Sequence, residues 1–326
     1  MSYTAVDLSQ LPPPDIIEEI SFEQVFAEML DDLKARDSQY DALVESDPAY
    51  AILQVAAYRE TLLRQRQNES ALAVMLAYSV GADLDNIGAR FDVPRLLLEE
   101  GDPNAVPPVE PVYEKDADYR LRIQLSQEGK STAGPEGAYE FHARSADANV
   151  ADVAIKAPKF SYANLSQAIL DQLPEGVICL QVDDDAGLAN PMPGDVAVTI
   201  LSRQGNGTAD QPLLDTVSVR LSAHNVRPLT DRVTTRSAEI VDYIIDAVVE
   251  IESGPGADII LQAAVASLQK LIDKQSNIGE PVAISAIYAA LHVEGVKRVI
   301  INSPTEDVPI TDTQAANCTE SNVVVA

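Results

Sequence analysis

Several stretches of the chain hold residue types that could do chemistry. Gly129-Lys130-Ser131 has the closing letters of a phosphate loop, in which backbone amides cradle the phosphates and the lysine reaches them. That motif needs a glycine at position 124, which is Gln124, and a strand ahead of it, where the residues read as a helix. Gly205-Asn206-Gly207-Thr208 follows a predicted strand and could hold a phosphate on free amides. No third glycine completes a dinucleotide fingerprint, and Gly and Asn equally serve a tight turn at positive φ. Asp183-Asp184-Asp185 has the carboxylate density of a calcium loop, but the distal glutamate such a loop needs would fall at Gly194. His142, His224 and His292 are the only histidines. No pair has zinc-ligand spacing, and each lies near the end of a predicted helix, where imidazole suits the last carbonyls. Cys179 and Cys318 have no histidine nearby, no serine sits in a nucleophile elbow, and acidic pairs such as Glu18-Glu19 are too common here to single out for acid–base work. The expectation is a chain with no catalytic residue, no cofactor and no metal site.

The element around which the chain is organised is a long predicted helix. Pro48 suits a first helical turn, and Asp47 or Ser46 can cap it. Neither glycine nor a further proline interrupts Ala49 to Val80, and Gly81 offers a left-handed stop. Such a helix would be roughly 50 Å long. Ile52, Leu53, Ala56, Leu62 and Leu63 recur at helical spacing, the middle is charged nearly all round, and Ala71 to Val80 is apolar nearly all round. Two readings stand: an internal core helix with a wet middle, or a helix that joins a bundle with other chains. Length favours the second.

Composition narrows the class. At 326 residues, with 46% hydrophobic and 23% charged residues, the chain can hold more than one globular domain. Aromatics at 5% and the absence of tryptophan argue against a base- or sugar-stacking surface. A net charge of −28 disfavours nucleic acid and anionic membranes alike. Two distant cysteines are no disulfide framework, so a reducing compartment is expected, without signal peptide or membrane span.

The rest of the pattern predicts an α+β chain: an N-terminal helical domain with a long bundle-forming helix, then small mixed αβ domains. Residues 1–14 end in Leu11-Pro12-Pro13-Pro14 and read as an extended arm that lies on another surface or stays disordered. The helical domain takes 15–98, with a first helix over Asp15–Ala35 and a short one capped by Asp83. Residues 99–115 hold several prolines and no period, and read as a linker. The middle αβ domain takes 116–204, with helices at Asp116–Ser126 and Glu136–Ser145 and strands at Asp147–Pro158, Val177–Val182 and Asp195–Ser202. The C-terminal αβ domain takes 205–326. It holds a helix at Ala209–Asn225, a strand at Pro228–Ser237, a firm break at Gly254-Pro255-Gly256, helices at Asp258–Gln275 and Val282–Leu291, a strand at Val296–Asn302, and a polar tail. Ala238–Ile251 fits either period, and its β-branched residues favour a strand. Val177–Val182 is a continuous apolar run and predicts a buried strand. Helix, strand and proline recur at 136–158 and 283–304, a weak internal echo.

These residues carry a family resemblance. Ala5 to Pro12 with Ile17-Glu18-Glu19, Arg64-Gln65-Arg66-Gln67-Asn68-Glu69 followed by Ala73 to Tyr78, Gly81 to Ala89, Ala117-Asp118-Tyr119-Arg120, Gly134 to Tyr139, and Val198 to Ser202 before Gly205-Asn206-Gly207-Thr208 resemble baseplate assembly protein J of contractile-tailed phages and phage-tail-like bacteriocins. The match runs nearly the whole chain and weakens after about residue 305. It implies a non-enzymatic structural protein of the tail baseplate, assembled in the host bacterial cytoplasm. Members pair with a second copy within a wedge, join another wedge protein through a helical bundle and close a ring around the hub. On that reading the partner-interface residues are Leu53, Tyr58, Leu62, Leu63, Arg64, Arg66 and Met75, with Arg59, Arg64 and Arg66 facing acidic or carbonyl groups. The arm would lie on a neighbour, and the C-terminal αβ units would supply ring contacts. A cytosolic scaffold unrelated to tails, or an enzyme of unrecognised type, remain the alternatives.

Overall fold

The computed structural model describes residues 6–40, 43–131, 134–251 and 256–326. The start of the arm and two residues of the expected break, Gly254 and Pro255, lie outside them. The chain forms two compact units. One comprises the described residues up to Arg95 together with Glu114–Gln124; the other comprises Leu96–Tyr113 and Leu125–Ala326.

In the helical unit, α1 spans Phe22–Arg36, α2 Pro48–Ala73, α3 Gly81–Arg90 and α4 Asp116–Leu125. Helix α1 starts seven residues later than the pattern suggests, because Ser21 Oγ accepts the Gln24 amide at 3.4 Å and fixes the cap there. Such a cap contributes about 1 kcal/mol. Phe26 of α1 meets the Tyr50 ring of α2 edge-on at 4.8 Å. Asp47 occupies the N-cap position of α2, but its carboxylate accepts the Val44 amide instead of a helix amide.

Helix α2 stops at Ala73 rather than Val80, although nothing local breaks it. Arg120 on α4 explains the stop: its Nε and Nη2 donate to the carbonyls of Leu76 and Ser79, both at 2.7 Å. Those carbonyls are held in a turn, where a continuing helix would have used them. Gly81 does adopt positive φ, +54°, but it opens α3 and does not close α2. Its amide donates to Asp116 Oδ2 at 3.1 Å. Val80 takes the cap position of α3 and Asp83 lies in its first turn, not at the cap.

Behind this corner Leu84, Ile87, Tyr119 and Ile123 are buried. A Cβ at Gly88 would collide with Tyr119 Oη, which instead donates to the Val93 carbonyl at 2.7 Å. Arg122 and Glu114 form a buried pair, joined at 2.8 and 3.1 Å. Arg95 stacks 4.6 Å from the Tyr119 ring centre and bridges Asp85 and Asp116, each at 2.7 Å. Burial would raise the Asp116 carboxyl, but Arg95 and the Gly81 amide outweigh it and hold it below the usual range.

Described arm residues make hydrogen bonds to their own chain. Tyr78 Oη donates to the Leu11 carbonyl, and Gln124 Nε2 to that of Val6. Asn68 clasps the backbone of Glu18 on both sides, accepting its amide at 3.2 Å and donating to its carbonyl at 2.8 Å.

In the second unit, β1 (Leu97–Glu99) and β2 (Val112–Tyr113) form an antiparallel ribbon extended by an Asp102–Val109 bridge, so the expected linker is paired structure. Next come α5 (Glu136–Arg144), β3 (Val150–Lys156), β4 (Lys159–Tyr162), α6 (Gln167–Leu170), β5 (Leu180–Asp184), β6 (Asp195–Ser202), α7 (Gln211–Leu221) and β7 (Arg232–Ser237). The chain ends with β8 (Glu239–Ile251), α8 (Ala257–Gln275), α9 (Ile284–Leu291), β9 (Val296–Ser303) and β10 (Gln314–Val325).

Two three-stranded sheets share one plan. In each, a central strand has an antiparallel neighbour on one side and a parallel neighbour on the other: β6 between β3 and β7, and β8 between β9 and β10. In each, a helix precedes the antiparallel edge strand, α5 before β3 and α9 before β9. Tyr139, Ala143, Leu213, Val217 and Leu221 cover the first sheet; Ala264, Leu268, Ile287 and Leu291 cover the second. The expected boundary at 204/205 falls inside the first sheet, which β7 completes.

The sheets join through Ala238, the single residue between β7 and β8, which packs with Leu201 and Ala315. Asp152 adds a polar link: one oxygen takes the Arg144 guanidinium, the other the Ile278 amide at 2.8 Å. One expectation fails here. Val177–Val182 is not a buried strand; β5 starts at Leu180 and pairs only with β4 in an exposed ribbon, with Ile178 69% exposed. The polar tail, for which no element was expected, forms β10, which runs beside β8, and polar side chains bond across, as Asn317 does to Asp242.

Candidate partner interface

Helix α2 has 26 residues, of which only Ala57 is buried. Its inner face carries Leu53, Glu60, Thr61, Arg64 and Asn68, all partly covered. The outer face carries Ile52, Val55, Tyr58, Leu62 and Leu63, all exposed, with Ile52 at 69% and Leu63 at 67%. At about 1.5–3 kcal/mol for each large apolar side chain fully removed from water, a protein that covered this row would gain substantially. Leu62, Leu63, Arg59, Arg66 and Ala73 line an open groove of about 840 Å³ beside α3.

The expected interface residues divide. Tyr58, Leu62, Leu63 and Arg66 stand together on the outer face. Leu53 is half-buried on the inner one. Arg64 is engaged within the chain, with Glu60 at 2.9 Å and Glu18 at 3.7 Å. Met75 lies beyond the end of α2, half-buried in the corner turn. Arg59, expected to face a partner's acidic or carbonyl groups, is on the outer face too; Ile52 and Val55 belong to it and were not among the expected residues. The signal for them is spacing: Ile52, Val55, Arg59, Leu62, Arg66, Glu69 and Ala73 alternate by three and four, as the seam of a coiled coil does.

The chemistry-like motifs are consumed by their own turns. The amides of Lys130 and Ser131 donate to Gln127 and Glu128, and Gly129 gives its carbonyl to His142 at 3.1 Å. Burial, then the nearby Arg220, keeps His142 less basic than usual. In the glycine-rich turn, the Gly207 amide donates to Gln204 and the Thr208 amide to Asn206 Oδ1. Asp184 and Asp185 accept the amides of Ala186 and Gly187, and Asp183 the Ser161 hydroxyl. Among the described residues no group of three or more His, Cys, Asp or Glu is placed to hold a metal ion, and no helix is long and apolar enough to cross a membrane.

Three models of one family match the chain in order: a Baseplate J-like N-terminal domain over residues 45–102, a central domain over 131–237 and a C-terminal domain over 243–324. The gap between the last two falls at the joint of the two sheets. Baseplate protein J of Escherichia phage P2 is 41% identical over 326 residues, covering 98% of this chain and 97% of its own length.

Proposed function

This chain belongs to the baseplate J-like family, and from that premise we propose that it is a wedge component of a contractile tail baseplate. In this reading it is a structural protein of the particle. Two copies pair within each wedge, α2 joins them to another wedge protein, and the αβ unit links neighbouring wedges into a ring around the hub. The observation that carries the reading is α2: a helix of this length, buried at one position and apolar along its outer face, is completed by something outside the chain.

The test is co-expression with the proteins encoded beside it, followed by light scattering. The proposal expects a defined complex of two copies with a partner. A monomer that ignores every neighbour overturns it.

A further inference from the structure

The seam of α2 has an unusual charge pattern. Of its seven positions, Ile52, Val55, Leu62 and Ala73 are apolar, Arg59 and Arg66 are cationic, and Glu69 is anionic. All but Ala73 are exposed. Arg64, on the inner face, has its carboxylates, whereas neither Arg59 nor Arg66 meets one within ion-pair distance among the described residues. Glu69 and Asp83 line the same groove but lie beyond that distance. In a chain with 51 acidic and 23 basic side chains, two arginines without an ion pair among the described residues stand out on one stripe.

A polar side chain at a core seam position sets which helix can dock and in what register. A guanidinium covered without a counter-charge is strongly unfavourable, so the occupant must bring carboxylates. A second copy cannot supply them fully. Laid parallel and in register, it sets Arg59 against Arg59 and Arg66 against Arg66. Laid antiparallel, it offers one seam acid, Glu69, for two arginines.

We propose that the α2 seam takes an acidic amphipathic helix of a different protein, whose carboxylates seven residues apart meet Arg59 and Arg66. The proposal rests on the reading of α2 as a partner interface and names the chemistry of that partner.

Two synthetic four-heptad peptides test it against the full chain by fluorescence anisotropy. Both carry leucine at most seam positions; one has glutamate, the other lysine, at two core positions seven residues apart. The glutamate peptide binds at least about tenfold tighter, and the double variant R59E/R66E inverts the preference. Equal binding of both peptides, binding of neither, or an unchanged preference in R59E/R66E overturns the proposal. Leu62→Asp separates the two levels of the argument. If it abolishes binding of both peptides while R59E/R66E alters neither, α2 docks a helix without selecting acid: the interface reading stands and this inference falls. A dimer of the chain alone, broken by Leu62→Asp, also overturns it, in favour of a second copy.

Discussion

Strand β6 and helix α2 are opposite solutions within one chain. All eight residues of β6 are buried, with β3 and β7 at its sides and α5 and α7 over one face. Of the 26 residues of α2, one is buried. Both are rich in apolar side chains, so the difference is not composition. The partners that cover β6 are encoded in the same chain; α2 has such partners on its inner face, and on the proposed reading those of its outer face are not part of this chain. Burial in the free protein marks what the chain finishes alone, and apolar exposure along a regular element marks what it leaves for assembly.

The comparison can be broken most severely at the corner beside α2, where buried polar groups do the work of a core. Arg122→Ala removes the guanidinium that meets the buried Glu114 carboxylate. It is expected to destabilise the helical unit by about 3–5 kcal/mol in urea unfolding, and replacing both partners by apolar residues costs much less. Ile200→Ala at the fully buried centre of β6 is expected to cost about 2–5 kcal/mol. Gly88→Ala forces Tyr119 off its carbonyl and is expected to cost about 1–3 kcal/mol.

A pH titration sharpens the corner's contribution. Because Asp116 is held below its ordinary range, its carboxylate contributes stability at neutral pH that is lost as pH falls through its folded value, below the usual 3.8. Asp116→Asn is therefore expected to unfold more easily at pH 7, with the difference from the parent shrinking as pH is lowered past 3.8. The smallest effect belongs to α2 itself: Leu63→Asp changes the stability of the free chain by no more than about 0.5 kcal/mol, while it prevents co-purification with a partner.

What the sequence shows plainly is what local physics decides. The alternation of Tyr243, Ile245, Ala247 and Val249 is visible in Ala238–Ile251, and these residues form the buried face of β8. The helices over Asp116–Ser126 and Asp258–Gln275 follow from apolar spacing and end within a residue of those limits. Elements decided from a distance are not legible. The stop at Ala73 depends on Arg120, forty-seven positions away, and no local rule finds it. Val177–Val182 has the composition of a core strand but sits in a ribbon paired only with β4. Strand β10 hides behind polar residues: Ala315 and Ala316 reach the cores, while Asn317 and Asn322 bond to Asp242 and Asp246 on β8. On the outer face of α2, Leu62 and Leu63 were readable from helical spacing. Arg64 carries the same charge as Arg66, two positions away, and only the fold reveals that Glu60 and Glu18 already hold it.

The most direct test is hydrogen exchange on α2, in the free protein and in the assembled complex or particle. With the outer face covered, amides between Ile52 and Glu69 exchange markedly more slowly in the assembly, while those of β6, already enclosed, change little. Equal exchange of α2 in both states would contradict the claim that this helix is completed by a partner.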